Sequence, residues 1–271
     1  VPKILLHLKL EFTLPPDIFN FYPAMLSKQQ LTFLRSLHQK KFRQMYGKFL
    51  VEGDKLVREL LTSSFKVDAI YAVNGWRGAT ERLKIEKITV TEDELAKIST
   101  HENPNQVVAV ADIKPQENLL PKEGLSGLVV CCDNLNDPGN AGTIIRTAEW
   151  FGIDYVVLSH NSVDIYNPKT VSAAKGSLFR VKCLYADLKE LFAQNPSMRV
   201  YGAFMDGEYL YKMSPEKNAF ILIGNEANGI SADLAELVTH KVTIPNFGKA
   251  ESLNAAVAAG IIMGEFKRHL V

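Results

Sequence analysis

Three times in its second half the chain runs from a short apolar segment into a Gly- or Asn-rich polar turn and then into a helical pattern. The last run, Ile244-Pro-Asn-Phe-Gly-Lys-Ala-Glu-Ser-Leu-Asn-Ala-Ala-Val-Ala-Ala-Gly260, packs a strand end, a polar loop and the start of an apolar helix together. The others are Asp133-Asn-Leu-Asn-Asp-Pro-Gly-Asn-Ala-Gly-Thr-Ile-Ile-Arg-Thr-Ala148 and Ile221-Leu-Ile-Gly-Asn-Glu-Ala-Asn-Gly-Ile230. Strands separated by helices assemble as a mostly parallel sheet covered on both faces. Ligands bind such sheets at the edge where strands give way to loops. Three polar junctions of this kind predict one composite site. At a helix start, side chains such as Ser252 and Asn254 and the free backbone N–H groups face whatever occupies it.

The rest of the chain falls into units around this half. Strands are expected at Gly127–Cys132, Tyr155–Leu158, Arg199–Phe204, Ala219–Gly224 and Lys241–Ile244. Helices are expected at Asn140–Phe151, Lys169–Lys175, Ala186–Gln194, Ser231–Val238 and Leu253–His269. Upstream, a polar helical pattern from Lys28 to Lys48 precedes a strand at Phe49–Gly53, a helix from Asp54 to Leu61, strands at Val67–Val73 and Lys87–Val90, a helix capped at Thr91, and a strand at Val107–Ala111. Residues 25–113 thus form a small α/β unit, large enough for its own core. Residues 114–125, with Pro115, Pro121 and Gly124, are the linker, and residues 126–271 form the second unit. Residues 1–24 carry Pro2, Pro15, Pro16 and Pro23 and lack the ordered zones of a signal peptide, and Met25 looks like a normal start. They read as an extension of no assigned role.

Composition narrows the function. A net charge of +1 does not mark a general nucleic-acid binder, yet residues 26–50 hold Lys28, Arg35, Lys40, Lys41, Arg43 and Lys48 and no acid. That surplus fits a phosphate footprint at Lys40, Lys41 and Arg43, and equally a solvated helix face; charge alone does not choose. Cys131, Cys132 and Cys183 have no metal-ligand spacing and read as reduced structural thiols of a cytoplasmic protein, with no metal expected. No run has the length of a membrane-spanning helix.

The turn after Gly127–Cys132 fails as a dinucleotide fingerprint, because Gly139 and Gly142 are three apart and Ile145 holds the place of a third glycine. A nicotinamide-dependent oxidoreductase is thereby disfavoured. Phosphate-loop and nucleophile-elbow patterns are also missing. What the junctions do hold is Asn140, Arg146, Glu226, Ser252 and Asn254. Each has an ordinary structural explanation: caps for Asn140, Ser252 and Asn254, a surface ion pair for Arg146, a turn carboxylate for Glu226.

Together, however, the junctions resemble the three signature motifs of the SpoU-type (TrmH-like) RNA 2′-O-ribose methyltransferases. Residues Asn136–Ala148 with Phe151-Gly152 match the first, Leu222–Ile230 the second, and Ile244-Pro245 with Glu251-Ser-Leu-Asn254 the third, in the same order and spacing over residues 127–270. Ser27, Lys41, Arg43, Val51-Glu-Gly53 and His101-Glu-Asn-Pro104 resemble the L30e-like RNA-binding domain often fused to this family.

The resemblance implies a deep trefoil knot in the C-terminal domain, a homodimer formed through it, and S-adenosylmethionine as cofactor. It assigns cofactor contacts to Gly202, Gly207, Ile223, Gly224, Asn225, Ile244 and Leu253, with a loop from Gly202 to Gly207. It assigns activation of the ribose 2′-OH to Arg146, orientation of the ribose to Asn140, Ser252 and Asn254, and the geometry of the junction to Glu226. An arginine keeps its proton, so Arg146 is better placed to stabilise a developing alkoxide or bind the adjacent phosphate than to act as a base. Two departures stand out: Asn246 where the third motif commonly has Met, and Ala227-Asn228 in the second. The implied partner is structured RNA, ribosomal rather than transfer RNA. A non-catalytic RNA-binding or ribosome-assembly factor on the same fold is the alternative.

Overall fold

The chain builds two sheets, and the local sequence accounts for most element ends. The structure, a computed structural model, describes residues 26–78, 84–101, 106–115 and 124–270. The extension 1–24, most of the linker and residues 102–104 of the His101-Glu-Asn-Pro104 motif lie outside the described residues.

The first unit contains α1 (Lys28–Ser36), α2 (Lys40–Tyr46), β1 (Lys48–Glu52), α3 (Asp54–Leu61), β2 (Val67–Val73), β3 (Glu86–Val90), α4 (Glu92–Ile98) and β4 (Val107–Asp112). Its sheet has the order β1-β4-β2-β3, antiparallel except for β2 beside β3. Reciprocal capping boxes, Ser27 with Gln30 and Thr91 with Glu94, start α1 and α4. The continuous helix expected over Lys28–Lys48 is two helices. α1 stops at Ser36, Gly47 in the left-handed region (φ 61°) ends α2, and Lys48 already belongs to β1.

The second unit contains β5 (Leu128–Cys132), α5 (Pro138–Trp150), β6 (Tyr155–Leu158), α6 (Pro168–Ala174), β7 (Lys182–Tyr185), α7 (Leu188–Gln194), β8 (Arg199–Tyr209), β9 (Ala219–Ile223), α8 (Ala232–Ala235), β10 (His240–Thr243) and α9 (Ala255–Arg268). The sheet is parallel throughout, in the order β10-β8-β9-β5-β6-β7. Central β5 and β9 are buried at every residue, as a sheet covered on both faces requires. Cys131 packs into the core on one face and Cys132 into the core on the other, and all three cysteines are free and buried. α8 is a single turn, shorter than the expected Ser231–Val238.

The two units are packed together rather than merely tethered. Phe49 of β1 lies 4.6 Å from Tyr166, and Phe65 meets Phe179 edge-on at 5.5 Å between ring centroids. Arg180 pairs with Glu59 of the first unit at 3.0 Å and with Glu149 of the second.

The most consequential contact corrects an expectation. Arg43, expected at a phosphate-binding surface, is 1% exposed. Its Nε and Nη2 donate to Asp164 Oδ2 at 2.9 and 2.6 Å, and its Nη1 donates to the carbonyls of Leu37 and His38 at 2.9 Å each. Those carbonyls are the ones left over where α1 stops, so the guanidinium fills the break between α1 and α2 and ties it to the other unit. Four of its five N–H donors are thereby committed inside the protein, and the side chain is out of reach of RNA. Lys40 and Lys41 are exposed, as expected.

Candidate active site

The C-terminal ends of β5, β8, β9 and β10 meet at one edge of the larger sheet, and hydrogen bonds join the three motif loops there. Asp133, at the end of β5, is buried. Its N–H donates to Ile223 O at 2.8 Å, and its carboxylate accepts from Ser231 N–H at 2.7 Å and Asn134 Nδ2 at 2.8 Å. Asp137 caps α5 through Asn140 N–H at 2.8 Å, and Pro138 occupies the first helical position. The cap is therefore Asp137, and the Asn140 side chain is free for another task.

That task is to bridge the motifs. Asn140 Nδ2 donates to Glu226 Oε1 at 2.9 Å, and Asn254 Nδ2 donates to Asn140 Oδ1 at 2.8 Å. The Asn254 Oδ1 caps α9, accepting from Ala256 N–H at 2.9 Å and Val257 N–H at 3.3 Å. Donor and acceptor roles allow one arrangement only. An ionised carboxylate can only accept, so Asn140 must turn its NH2 to Glu226 and its oxygen to Asn254, whose own oxygen is claimed by the helix. Glu226 also accepts from the N–H groups of Asn136 and Asp137, at 3.2 and 3.1 Å. Burial works to raise its pKa. The bonds from Asn140, Asp137 and Asn136 outweigh it and hold the carboxyl below the ordinary value of 4.5. The Asp137 carboxyl is likewise lowered, first by the Asn140 N–H and then by Lys169. Beneath the loops, burial pushes the Cys132 thiol up to about 12, with Glu226 and Asp133 adding to it, so it is no nucleophile.

Arg146 stands two turns along α5 from the cap. It is exposed, and among the described residues it makes no hydrogen bond or ion pair. The surface ion pair that would explain it structurally is not formed. Ser252, exposed in the loop before α9, also makes none. The structure thus joins Asn140, Glu226 and Asn254 directly and leaves Arg146 and Ser252 unengaged.

The seven residues assigned to a cofactor are distributed over the same edge. Ile223 is buried with its carbonyl on Asp133 N–H. Asn225 closes a tight turn, bridging to Gly229, accepting from Ala227 and Asn228 N–H groups at 2.9 and 3.0 Å and donating to Asn134 O at 2.7 Å. Ile244 is half-buried, and Leu253 is 48% exposed. The expected loop from Gly202 to Gly207 lies within the span of β8, but it leaves the ladder. Lys241 pairs with Gly202 and the next residue, Val242, pairs with Glu208, so residues 203–207 bulge out. Thr243 pins this excursion, accepting from Gly207 N–H and donating to Phe204 O at 3.0 Å. Asp133 and Thr243 escaped the sequence reading. For Asp133 the signal was a polar side chain directly after the wholly apolar strand β5; Thr243, in the mixed His-Lys-Val-Thr of β10, carried none.

Two glycines have a reason internal to the fold. A Cβ on Gly224 would stand 2.2 Å from the Gly229 carbonyl carbon, and one on Gly207 2.5 Å from Lys241 O. Close backbone approach demands them, so they are not evidence of a ligand. Of the residues the resemblance assigns to an adenosine-bearing cofactor, Ile244 follows β10 and Leu253 precedes α9, and both offer the partly exposed apolar side chains such a group takes. Among the described residues no group of His, Cys, Asp and Glu could hold a metal ion, and no helix is long and apolar enough to cross a membrane.

Comparison with known proteins agrees with this geometry. Residues 127–264 match the SpoU rRNA Methylase family, and residues 28–109 match the MRM3-like substrate binding domain. The chain is similar to the 23S rRNA (guanosine(2553)-2′-O)-methyltransferase RlmP of Bacillus subtilis (strain 168), with 35% identity over 241 residues covering 87% of this chain and 94% of that protein. Its structure is similar to that of the SpoU methyltransferase AviRb from Streptomyces viridochromogenes in complex with AdoMet (TM-score 0.81, 26% identity, 90% of this chain and 98% of that one). It is also similar to the AdoMet-bound rRNA methyltransferase from Sinorhizobium meliloti (TM-score 0.79, 28% identity, 91% and 98%). The architecture is the expected one, an α/β-knot type of mostly parallel sheet preceded by a small α/β unit. The chain belongs to the SpoU rRNA methylase family.

Proposed function

We propose that this protein transfers a methyl group from S-adenosylmethionine to a ribose 2′-OH of structured ribosomal RNA. The observation that carries the reading is the bond chain Asn254–Asn140–Glu226, which draws all three motif loops to the helix bearing an unpaired Arg146. The relatives whose names specify 23S rRNA, and the bound AdoMet in two similar structures, support substrate and cofactor.

When bound, the cofactor supplies an electrophilic methyl group on a sulfonium that departs as a neutral thioether. Ile244, Leu253 and the backbone around Gly224 and Asn225 would hold it. The residues of the chain have a different problem to solve, since a protonated 2′-OH is a poor nucleophile. Arg146 keeps its own proton and places a positive charge beside the developing alkoxide, while the hydroxyl proton passes to the adjacent phosphate or to water. Ser252 orients the ribose. Asn140 and Asn254 fix the floor of the site, and Glu226 holds Asn140 in its working orientation. A homodimer through the C-terminal unit, with exposed Trp150 and Val257 on the helices α5 and α9 as part of its contact, completes the reading.

Incubation with labelled S-adenosylmethionine and ribosomal RNA tests it. Label should enter the RNA at one nucleotide whose 3′ phosphodiester bond becomes resistant to alkali. Label found on a base would end the reading.

A further inference from the structure

Helices α1 and α2 together carry an aromatic cluster that the active site does not use. Phe42 and Tyr46 stand one turn apart on α2, with ring planes within 15° and centroids 6.3 Å apart. Phe33 of α1 meets Tyr46 edge-on at 5.1 Å. Tyr46 is 44% exposed and its hydroxyl makes no hydrogen bond among the described residues; Met45 beside it is also exposed. Phe33 also packs against the core of this unit, which is built on Leu34, Leu37 and Leu50, and so anchors the cluster from beneath.

The surroundings are cationic. Lys41 Nζ stands 5.8 Å from the centre of the Phe42 ring. Lys28, Arg35, Lys40 and Lys41 are exposed and form no ion pair among the described residues. Glu94, on neighbouring α4, is committed to the caps at Leu26 and Thr91. The exposed Tyr46 ring, backed by half-buried Phe42 and Phe33 and set among unpaired cations, matches the two chemistries of a single-stranded nucleotide, a π face and a flanking phosphate. A duplex, recognised through its backbone and 2′-hydroxyls, would have no use for the rings.

The same helix is fixed in space. Arg43 lies between these residues in sequence, yet points inward onto Asp164 of the catalytic unit. Whatever α2 grips is therefore held at a set distance from Asn140 and Arg146.

We infer that Phe42, Tyr46 and Phe33, with Lys40 and Lys41, form a stacking platform for an unpaired nucleotide of the RNA substrate, remote from the methylated ribose. The inference rests on the RNA-methyltransferase reading above and adds the substrate-gripping site to it.

The test uses the full chain, ribosomal RNA and labelled S-adenosylmethionine, with RNA binding read separately by filter retention. Tyr46→Ala should weaken RNA binding about 10-fold or more and raise the KM for RNA by a similar factor. It should leave kcat at saturating RNA and the salt dependence of binding unchanged. Tyr46→Phe should bind like the wild type. Replacing Lys40 and Lys41 by Gln should instead lower the slope of log affinity against log salt by about one to two. Affinity within twofold of wild type for a folded Tyr46→Ala, or a loss confined to kcat, overturns the platform. A wild type that binds RNA with this Tyr46 dependence but transfers no methyl group overturns the catalytic reading and leaves the platform standing.

Discussion

Asn254 and Asn140 lie 114 residues apart in sequence, and their side-chain amides meet at 2.8 Å. The bond is the seam between the last helix and the first motif. Because Asn140 spends its NH2 on Glu226, the loop of the second motif enters the same chain of donors and acceptors.

Asn140→Asp keeps the acceptor for Asn254 and sets a carboxylate against Glu226. The expected outcome is a loss of roughly 2 kcal/mol, a fall in Tm of about 4–8 °C, and methyl transfer reduced about 100-fold. Adding Glu226→Gln should restore most of the stability, because an amide can donate to the new carboxylate. Thermal melts and transfer rates of the single and double variants measure the coupling.

Arg146 should matter for rate and hardly at all for folding. It is exposed and unpaired. Arg146→Ala should therefore lower kcat about 10²–10³-fold while stability changes by less than about 0.5 kcal/mol. Arg146→Lys should recover only part of the rate, since a point charge cannot reproduce a planar fork. Full activity in the alanine variant would remove the mechanism.

Arg43 should show the reverse pattern. Leaving Asp164 and two carbonyls without their shared donor costs about 3–5 kcal/mol, so Arg43→Ala should lower Tm by roughly 10 °C. Lys at this position has too few donors to rescue it. Chemical denaturation of Arg43→Ala, Arg43→Lys and Asp164→Asn checks the ranking. A stable Arg43→Ala with a reduced salt slope for RNA binding would return this residue to the surface.

Glu226 makes the site acid-sensitive. Its folded pKa lies below the unfolded value near 4.5, so the unfolded chain binds the proton more readily. The stabilisation is present above pH 4.5 and is lost as pH falls through the folded value. Glu226→Gln should flatten the acid side of the stability curve in this window and leave the alkaline side unchanged. Urea midpoints from pH 3 to pH 7 would show it.

Much of this was legible in the chain. Apolar runs such as Leu-Val-Val-Cys-Cys and Ala-Phe-Ile-Leu-Ile read as strands of a parallel sheet covered on both faces, and they are, at its centre. The capping box at Thr91 reported its helix for an equally local reason. The motif residues were legible by resemblance, and three of the five proved to be hydrogen-bonded to one another. The split between α1 and α2 was not legible. Its stabilising partner, Asp164, is 121 residues from Arg43.

The sequence by itself determined the order of strands and helices, the polar loops that end them and the family they belong to. The elements and loops follow from periodicity, caps and turn residues, which act over a few neighbours, and the family from the resemblance of the three motif loops taken together. Only the tertiary structure decided which cation is a buried clasp and which are open to solvent. It alone showed that Thr243 pins the bulge in β8 and that Asn140 bridges rather than caps. A side chain's task depends on which distant donor or acceptor folding brings within about 3 Å of it, and a hydrogen bond made at that range settles its role.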